Sequence, residues 1–568
     1  MAILQRFLKS EEADNGLPEL VDQPETTYTG TPISPIKYGL PKEIDSICPD
    51  CMEIIKATLY ADGGKVWIKK NCTEHGDFKD IFYGDVDLYL RSENLWFGDG
   101  RGIENPAIKK ATVCPSQCGL CNMHMSHSGL PIIDLTNRCN LTCPVCFANA
   151  NAAGYLYEPS FDEVVKMLET IAGQKPVKAD RVQFSGGEPT VRPDFLDIVR
   201  KTKEMDFSYV QVNTNGIKMA DLDFARASRE AGVHNLYLQF DGLSDDIYKK
   251  TRSKSLLDYK LQTIENCRKV HIDVVLVVTM VKGYNDHQVG DIVRFAAENN
   301  DVISGIAFQP VSFVGRFSQA SRLEKRYTLG DLARDIQDQT GYIDMQRDWM
   351  PIGITSAISK LATALSGKQE FTATLHPHCS QGAYFYIGDD GDVKPVSAFI
   401  DIELFLKDLI ELSRKVKPSR FALFSKVKVF YKLRKHFKAK RAPKGLTFDL
   451  FLESLEGYQD KSKRRIFGIE EKTRHFFVAG MHFMDAYNFS VERVMRCVVH
   501  YPDPEGHLYP FCAYNGAPVY RKRVEKKFKH SVDELKKKVI AEGHPKELRV
   551  VARKMGVNFD GKGIDKDG

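Results

Sequence analysis

The chain has 568 residues, 43% of them apolar, and a formal net charge of +5; that length exceeds one hydrophobic core and predicts three or four compact units. It holds no run of eighteen uncharged apolar residues, and its start, MAILQRFLKSEEADNG, lacks the apolar stretch and cleavage site of a secretory signal. These features argue against a membrane-spanning or exported protein and predict a cytoplasmic one, soluble or peripheral to the inner face of the membrane.

Residues 1–40 carry scattered Pro, Gly and Thr and read as an extended arm. Residues 41–85 place CPDC (48–51) and NCTEHG (71–76) on either side of ATLYADGGKVWIKK, a ribbon hairpin with a Gly-Gly turn between two metal knuckles. Cys48, Cys51, Cys72 and His75 are the expected ligands, two per knuckle aimed at one point, which suits a tetrahedral zinc or a mononuclear rubredoxin-like iron. Nine of the thirteen cysteines fall in three tight clusters before residue 150. In a reducing compartment that pattern means metal ligation rather than disulfides.

Residues 86–129 form an expected auxiliary iron–sulfur module, in which Cys114, Cys118 and Cys121 share the C-x3-C-x2-C spacing of Cys139, Cys143 and Cys146. The second trio directly follows the apolar strand LPIIDLT (130–136), whereas the first sits in irregular sequence, so the first is the auxiliary one. Three thiolates hold three irons of a 4Fe–4S cube and leave the fourth open to the amino and carboxylate groups of S-adenosylmethionine (SAM). From 130 to 320 apolar strands alternate with amphipathic helices, the first opened by the capping box Ser160 and Glu163. That alternation predicts an α/β fold, a partial (β/α)6 barrel. Residues 321–568 read as a mainly helical C-terminal domain interrupted by hairpins at 376–395 and 496–512.

DLTNRCNLTCPVCFANA resembles the cluster loop of radical SAM enzymes, and FSGGEPT (184–190) resembles their GGE motif. The resemblance implies that the backbone of Gly186, Gly187, Glu188 and Pro189 holds the methionyl amino group. Thr214 and Asn215 of TNG, with Gln239 and Asp241 of QFDG, would contact the ribose and carboxylate of SAM. In that family an electron, supplied by reduced ferredoxin or flavodoxin, splits SAM into methionine and a 5′-deoxyadenosyl radical that removes a hydrogen atom from carbon. The position before the third cysteine, often aromatic in the family, is Val145 here, and Phe147 follows as the candidate for adenine packing.

A longer stretch is similar to the tetraether lipid synthase family: the CPDC…CTEHG ribbon, CPSQCGLCNMHMSHSGLPIIDLTNRCNLTCPVCFANAN, PHCS and RCVVHYPDPEGHLYPFCAYN. This likeness implies two auxiliary 4Fe–4S clusters, a membrane phospholipid substrate whose chain termini are joined by a carbon–carbon bond, no nucleic acid partner, and a monomer. Cys379, Cys497 and Cys512 then serve the second auxiliary cluster, with His378 and His500 as fourth-ligand candidates or hydrogen-bond donors to a ligand. Cys267, in LQTIENCRKV, reads as a core residue.

Residues 413–444 hold thirteen Lys and Arg with no Asp or Glu, leaving the remainder of the chain at −8. Phe421, Phe424, Val427, Phe430, Leu433 and Phe437 interleave these cations, the pattern of a helix in a membrane interface; a solvated helix or nucleic-acid patch is the alternative. Two further readings of the chain are a radical SAM enzyme that modifies a peptide and a non-catalytic iron–sulfur carrier. The intact GGE segment speaks against the carrier.

Overall fold

The computed structural model describes residues 26–96, 100–314, 321–367, 369–415, 431–456 and 473–557. At the N-terminus β1 (Lys42–Ile47), β2 (Ile54–Asp62), β3 (Lys65–Cys72) and β4 (Gly76–Tyr83) form an antiparallel sheet in that order. The expected hairpin is its central pair. Gly63 and Gly64, both with positive φ, make the two-residue turn that matches strand twist. One face of this sheet buries Ala57, Leu59, Val66 and Ile68.

The barrel strands are β5 (Leu130–Thr136), β6 (Arg181–Gly186), β7 (Tyr209–Thr214), β8 (Asn235–Gln239), β9 (Asp273–Met280) and β10 (Ile303–Pro310). They pair in parallel in chain order. Between them run helices such as Phe161–Ala172, where the Ser160 hydroxyl accepts from Glu163 N and the Glu163 carboxylate accepts from Ser160 N. Because side chains alternate along a strand, one parity of β6 to β9 faces the helices: Val182, Phe184, Val210, Val212, Leu236, Leu238, Val274 and Leu276 lie in the main core. The other parity faces the lumen and is polar on β6 to β8. Gln183 Nε2 donates to Gln211 Oε1 at 2.6 Å, and Gln211 Nε2 to Asn235 Oδ1 at 2.7 Å. Opposite them, Val275, Val277, Gly305 and Ala307 keep the wall small and apolar.

The sheet does not stop at residue 320, the boundary expected from sequence. Strand β11 (Met350–Pro351) pairs with β12 (Ser380–Ile387), which also pairs with β13 (Val393–Pro395) and with β14 (Arg474–Met481). Strand β14 is parallel to β10, while β15 (Val499–Pro502) is parallel to β5 and carries β16 (Leu508–Pro510). Both edges of the parallel sheet are therefore satisfied by strands from the C-terminal region, which removes exposed rows of backbone donors and acceptors. The rest of that region is largely helical.

The described part of the basic segment packs against the protein. Leu433 is 3% exposed in a core with Phe399, Phe405 and Leu409, and Phe437 packs edge-on against Phe399 and Phe448. His436 and Lys432 pair with Asp408 at 2.7 and 3.2 Å. Leu433 and Phe437 therefore cover protein. Phe421, Phe424, Val427 and Phe430 lie outside the described residues. No helix among the described residues is long and apolar enough to cross a membrane.

Candidate active site and metal centres

Cys139, Cys143 and Cys146 line the mouth of the barrel lumen together with Gly186, Gly187, Thr214, Asn215 and Gln239. The space opens to solvent at its mouth. Asn151 shapes the cysteine loop, accepting from Cys139 N at 2.9 Å and donating to the Cys139 carbonyl at 2.6 Å.

The two glycines of FSGGEPT are required by a close approach. The Gly187 amide donates to the Thr136 carbonyl at 2.7 Å and the Glu188 amide to the Arg138 carbonyl at 2.8 Å, stapling the end of β6 to the entry of the cysteine loop. A Cβ on Gly186 would stand 2.2 Å from Thr136 O, and one on Gly187 2.1 Å from Arg138 O. Both glycines thus line the cavity with backbone alone.

The Glu188 side chain is used inside the protein, which leaves its backbone at the cavity end of β6. Its buried carboxylate accepts from Thr190 Oγ1 (2.6 Å), Thr214 Oγ1 (2.8 Å) and Asn215 N (2.7 Å), so it ties β6 to the end of β7. Burial lifts its carboxyl above the usual range despite these bonds. Pro189 opens the short 3-10 turn that follows. Asn215 Nδ2 donates to Asn140 Oδ1 at 2.7 Å, inside the cysteine loop.

Asp241 is likewise engaged. Arg252 grips it at 2.6 and 2.9 Å, and Thr251 Oγ1 donates to it at 2.7 Å. Burial opposes its charge, but the guanidinium prevails and holds the carboxyl below its ordinary range. Arg252 also faces Cys143, where it favours the thiolate against the effect of burial. Gln239 has its Oε1 accepting from Lys260 Nζ at 2.7 Å, while its buried Nε2 makes no short hydrogen bond and lies toward Asp241, whose charge it helps to hold. A ligand with acceptor oxygens entering this cavity would complete the hydrogen bonding of that amide. Phe147 stands at the rim, its ring 6.1 Å from that of Phe511 and 5.8 Å from the Arg521 guanidinium. Arg252, Lys260, Asn151 and Arg521 were missed by sequence reasoning, because single polar residues inside helices or loops carry no pattern.

Burial raises the thiols of Cys139 and Cys143, so a thiolate set there needs a positive partner, which a metal cluster supplies. The same holds for Cys114 and Cys118. Tyr520 Oη stands 2.7 Å from both the Pro115 and Ser116 carbonyls, its one proton shared between them, and so holds the loop that carries this trio. Cys379 and the two cysteines that flank the β15–β16 hairpin, Cys497 and Cys512, lie closely enough for their charges to couple. The buried Arg493 Nε donates to Cys379 Sγ at 3.3 Å. His378 Nε2 is used on the Tyr89 carbonyl at 3.0 Å with its ring stacked on Tyr89, and His500 Nε2 meets His124 Nε2 at 3.0 Å. Burial holds both imidazoles neutral. Cys267 is fully buried in the main core.

In the ribbon the ligand atoms of Cys48, Cys51, Cys72 and His75 lie within 4.8 Å of one another. Cys51 and Cys72 sulfurs are 3.9 Å apart, and His75 Nδ1 is 3.5 Å from Cys72 Sγ and 3.8 Å from Cys48 Sγ. Tetrahedral bonds of about 2.3 Å to sulfur put ligand pairs about 3.8 Å apart, so the set is already arranged for one ion.

This fold and cysteine loop define a radical SAM enzyme, one that uses a 4Fe–4S cluster and SAM; the Radical SAM superfamily profile matches residues 133–296, and a profile described as the HMPTM N-terminal zinc ribbon domain matches 40–84. The chain is 41% identical over 505 residues to the 7,8-dihydro-6-hydroxymethylpterin dimethyltransferase of Methanocaldococcus jannaschii, covering 87% of this chain and 97% of that protein. The chain belongs to the family of that archaeal protein. It is also 26% identical to a GTP 3′,8-cyclase of Limosilactobacillus fermentum, over 39% of this chain and 64% of the other. The solved structure of SuiB from Streptococcus suis matches 39% of this chain and 47% of its own, at 21% identity and a TM-score of 0.32. The expectation of a tetraether lipid synthase that joins phospholipid chains is overturned by this relationship: the relative matched over nearly its whole length is named for a pterin.

Proposed function

We propose that the chain is a radical SAM methyltransferase that modifies a reduced pterin of the 7,8-dihydro-6-hydroxymethylpterin type. The observation that carries this reading is the 41% identity over 97% of the dimethyltransferase. The lumen supports it. A pterin offers amide-like and amidine-like edges around a flat ring, and β6 to β8 present side-chain amides and hydroxyls where most barrels are apolar. Asn213 Nδ2 donates to Ser185 Oγ at 3.1 Å, and Gln309 Nε2 to Tyr237 Oη at 2.9 Å. Each is a polar pair whose partners a heterocycle can exchange.

When bound, the cluster and SAM supply a carbon-centred radical able to activate a C–H bond. This chain's residues place the two ligands. Cys139, Cys143 and Cys146 hold the cluster, Gly186 and Gly187 admit SAM close to the backbone, and Gln239 donates to its acceptor oxygens. Phe483 and Phe511, stacked at 3.7 Å on the cavity wall, screen the mouth from water. Zinc sits in the ribbon, and the trios at Cys114 and at Cys379 hold auxiliary clusters, of which the second is steadied by Arg493. The protein works in the cytoplasm with a reduced ferredoxin or flavodoxin as electron source.

The test is anaerobic incubation of the iron-loaded enzyme with SAM, titanium(III) citrate and 7,8-dihydro-6-hydroxymethylpterin, read by mass spectrometry. Because the SAM split to deoxyadenosine keeps its methyl on methionine, methyl-labelled SAM in excess and a one-carbon-loaded reduced pterin are offered as methyl donors in separate arms. Deoxyadenosine release stimulated by the pterin, with a methylated pterin formed in either arm, supports the reading. Deoxyadenosine release that is indifferent to the pterin overturns it.

A further inference from the structure

We propose that the basic surface carried by the helices Tyr520–Lys527, Val532–Ala541 and Lys546–Lys554 docks an acidic one-electron carrier protein, which reduces the centre held by Cys139, Cys143 and Cys146. The inference rests on the radical SAM reading and adds to it the face at which the electron enters.

The position of these helices is the first argument. Val532–Ala541 and Lys546–Lys554 form a hairpin whose own small core, Leu535, Val539, Leu548, Val551 and Ala552, closes on Leu156 just beyond the cysteine loop. His530 N donates to the Leu156 carbonyl at 2.9 Å, and Lys538 Nζ pairs with Glu158 at 2.5 Å. Arg138, the chain neighbour of Cys139, is buried between Glu158 (2.7 and 3.1 Å) and Glu542 of the hairpin (2.8 Å). The hairpin is therefore seated on the first residue of the loop that binds the cluster.

Charge is the second argument. Residues 520–557 carry thirteen Lys and Arg against five Asp and Glu. Lys538 and Arg521 are consumed internally, Arg521 on Asp134 and Glu525. Lys522, Lys526, Lys536, Lys537, Arg553 and Lys554 are exposed and make no ion pair with a described residue. An uncompensated positive surface of this kind steers and orients an acidic partner. A nucleic acid fits less well, since single strands are held by exposed aromatic platforms, and the aromatic residues here, Tyr520 and Phe528, are buried or half-buried. In the transfer the carrier is oxidised by one electron and the cluster reduced by one, with no bond made between the proteins.

The experiment uses the full-length, iron-loaded chain and two double variants, K536E/K537E and R553E/K554E. Deoxyadenosine formation from SAM is followed with flavodoxin hydroquinone at varied concentration and, separately, with titanium(III) citrate. We expect the KM for flavodoxin to rise tenfold or more in the variants and to rise with salt in the wild type, while rates with titanium(III) citrate stay unchanged. Equal KM values in variants and wild type overturn the docking face, as does a loss that is the same with both reductants. Tighter binding of a single-stranded oligonucleotide than of flavodoxin overturns it too, in favour of nucleic acid. A wild type that forms no deoxyadenosine even with titanium(III) citrate sinks the radical SAM reading itself, and the docking proposal with it.

Discussion

Lys260 Nζ donates to Gln239 Oε1 at 2.7 Å and to the Asn215 carbonyl at 2.5 Å, and the first of these bonds decides which end of the Gln239 amide faces the cavity. An ammonium or amine donor on Oε1 leaves Nε2 as the group presented to a ligand. Lys260 is fully buried and lies on the helix Leu257–Val270, so it acts through Gln239 as a positioning residue.

Lys260→Met keeps the volume and frees the amide to flip. SAM is expected to bind about tenfold more weakly, a loss of about 1.4 kcal/mol. Equilibrium binding of SAM to the iron-loaded protein measures it, with the zinc content as a control for folding. Unaltered SAM affinity in a folded K260M protein would remove the positioning role.

Gly187→Ala tests the contact between β6 and the cysteine loop. Its Cβ would overlap the backbone carbonyl of Arg138, which no side-chain rotation relieves. The substitution should cost about 2 kcal/mol or more and disturb the loop, so cluster iron falls while ribbon zinc stays. Iron and zinc analysis of the purified variant decides; full iron loading would show that the loop tolerates the displacement.

Cys51→Ser removes one ligand of a set that is preformed in the ribbon. Structural zinc contributes folding energy directly, so the variant should lose its zinc and melt earlier. The ribbon is also tied to the C-terminal region, through Ser46 Oγ on the Phe489 carbonyl (2.7 Å) and Lys70 Nζ on the Ala486 carbonyl (2.6 Å). Hydrogen exchange around 486–489 should rise with zinc loss. Retained zinc in C51S would mean that Cys51 is not a ligand.

Lys70 gives a pH signature. Burial pushes its ammonium down to about 7 against the pull of Asp485 and Asp80. Below that value both folded and unfolded chains hold the proton and the buried cation is a fixed cost. Between about 7 and the unfolded value of about 10.4 only the unfolded chain holds it, so this group adds stability as pH rises. Lys70→Met loses that slope as well as its hydrogen bonds. The gap in melting temperature between wild type and K70M should widen from pH 7 to 10; a constant gap contradicts the shift.

Much of the barrel is legible in the sequence because period-2 apolar strands and capped amphipathic helices are local patterns. LPIIDLT is β5 residue for residue, and the ribbon ligands are found by spacing. Strand β14, RHFFVAGM, was passed over as part of a helical region, since a single apolar run has no partner visible in sequence. The described end of the basic segment shows a related ambiguity. Cations interleaved with phenylalanines describe both an interfacial helix and a helix packed on a neighbouring core, and only the position of Phe399 and Phe405 distinguishes them. The substrate expectation drawn from likeness to lipid synthases went beyond what shared cysteine spacing can carry.

By itself, then, the sequence determined the chemistry that depends on short spacings: three thiols in one loop for a cluster, four ligands in one ribbon for an ion, two glycines where backbones touch. Tertiary structure alone decided the rest. It seated Arg493 on Cys379, gave the side chains of Glu188 and Asp241 internal partners, and set Lys260 behind Gln239. The physical reason is that a buried charge or thiol must find its partner in space, and chain folding, not chain order, supplies that partner.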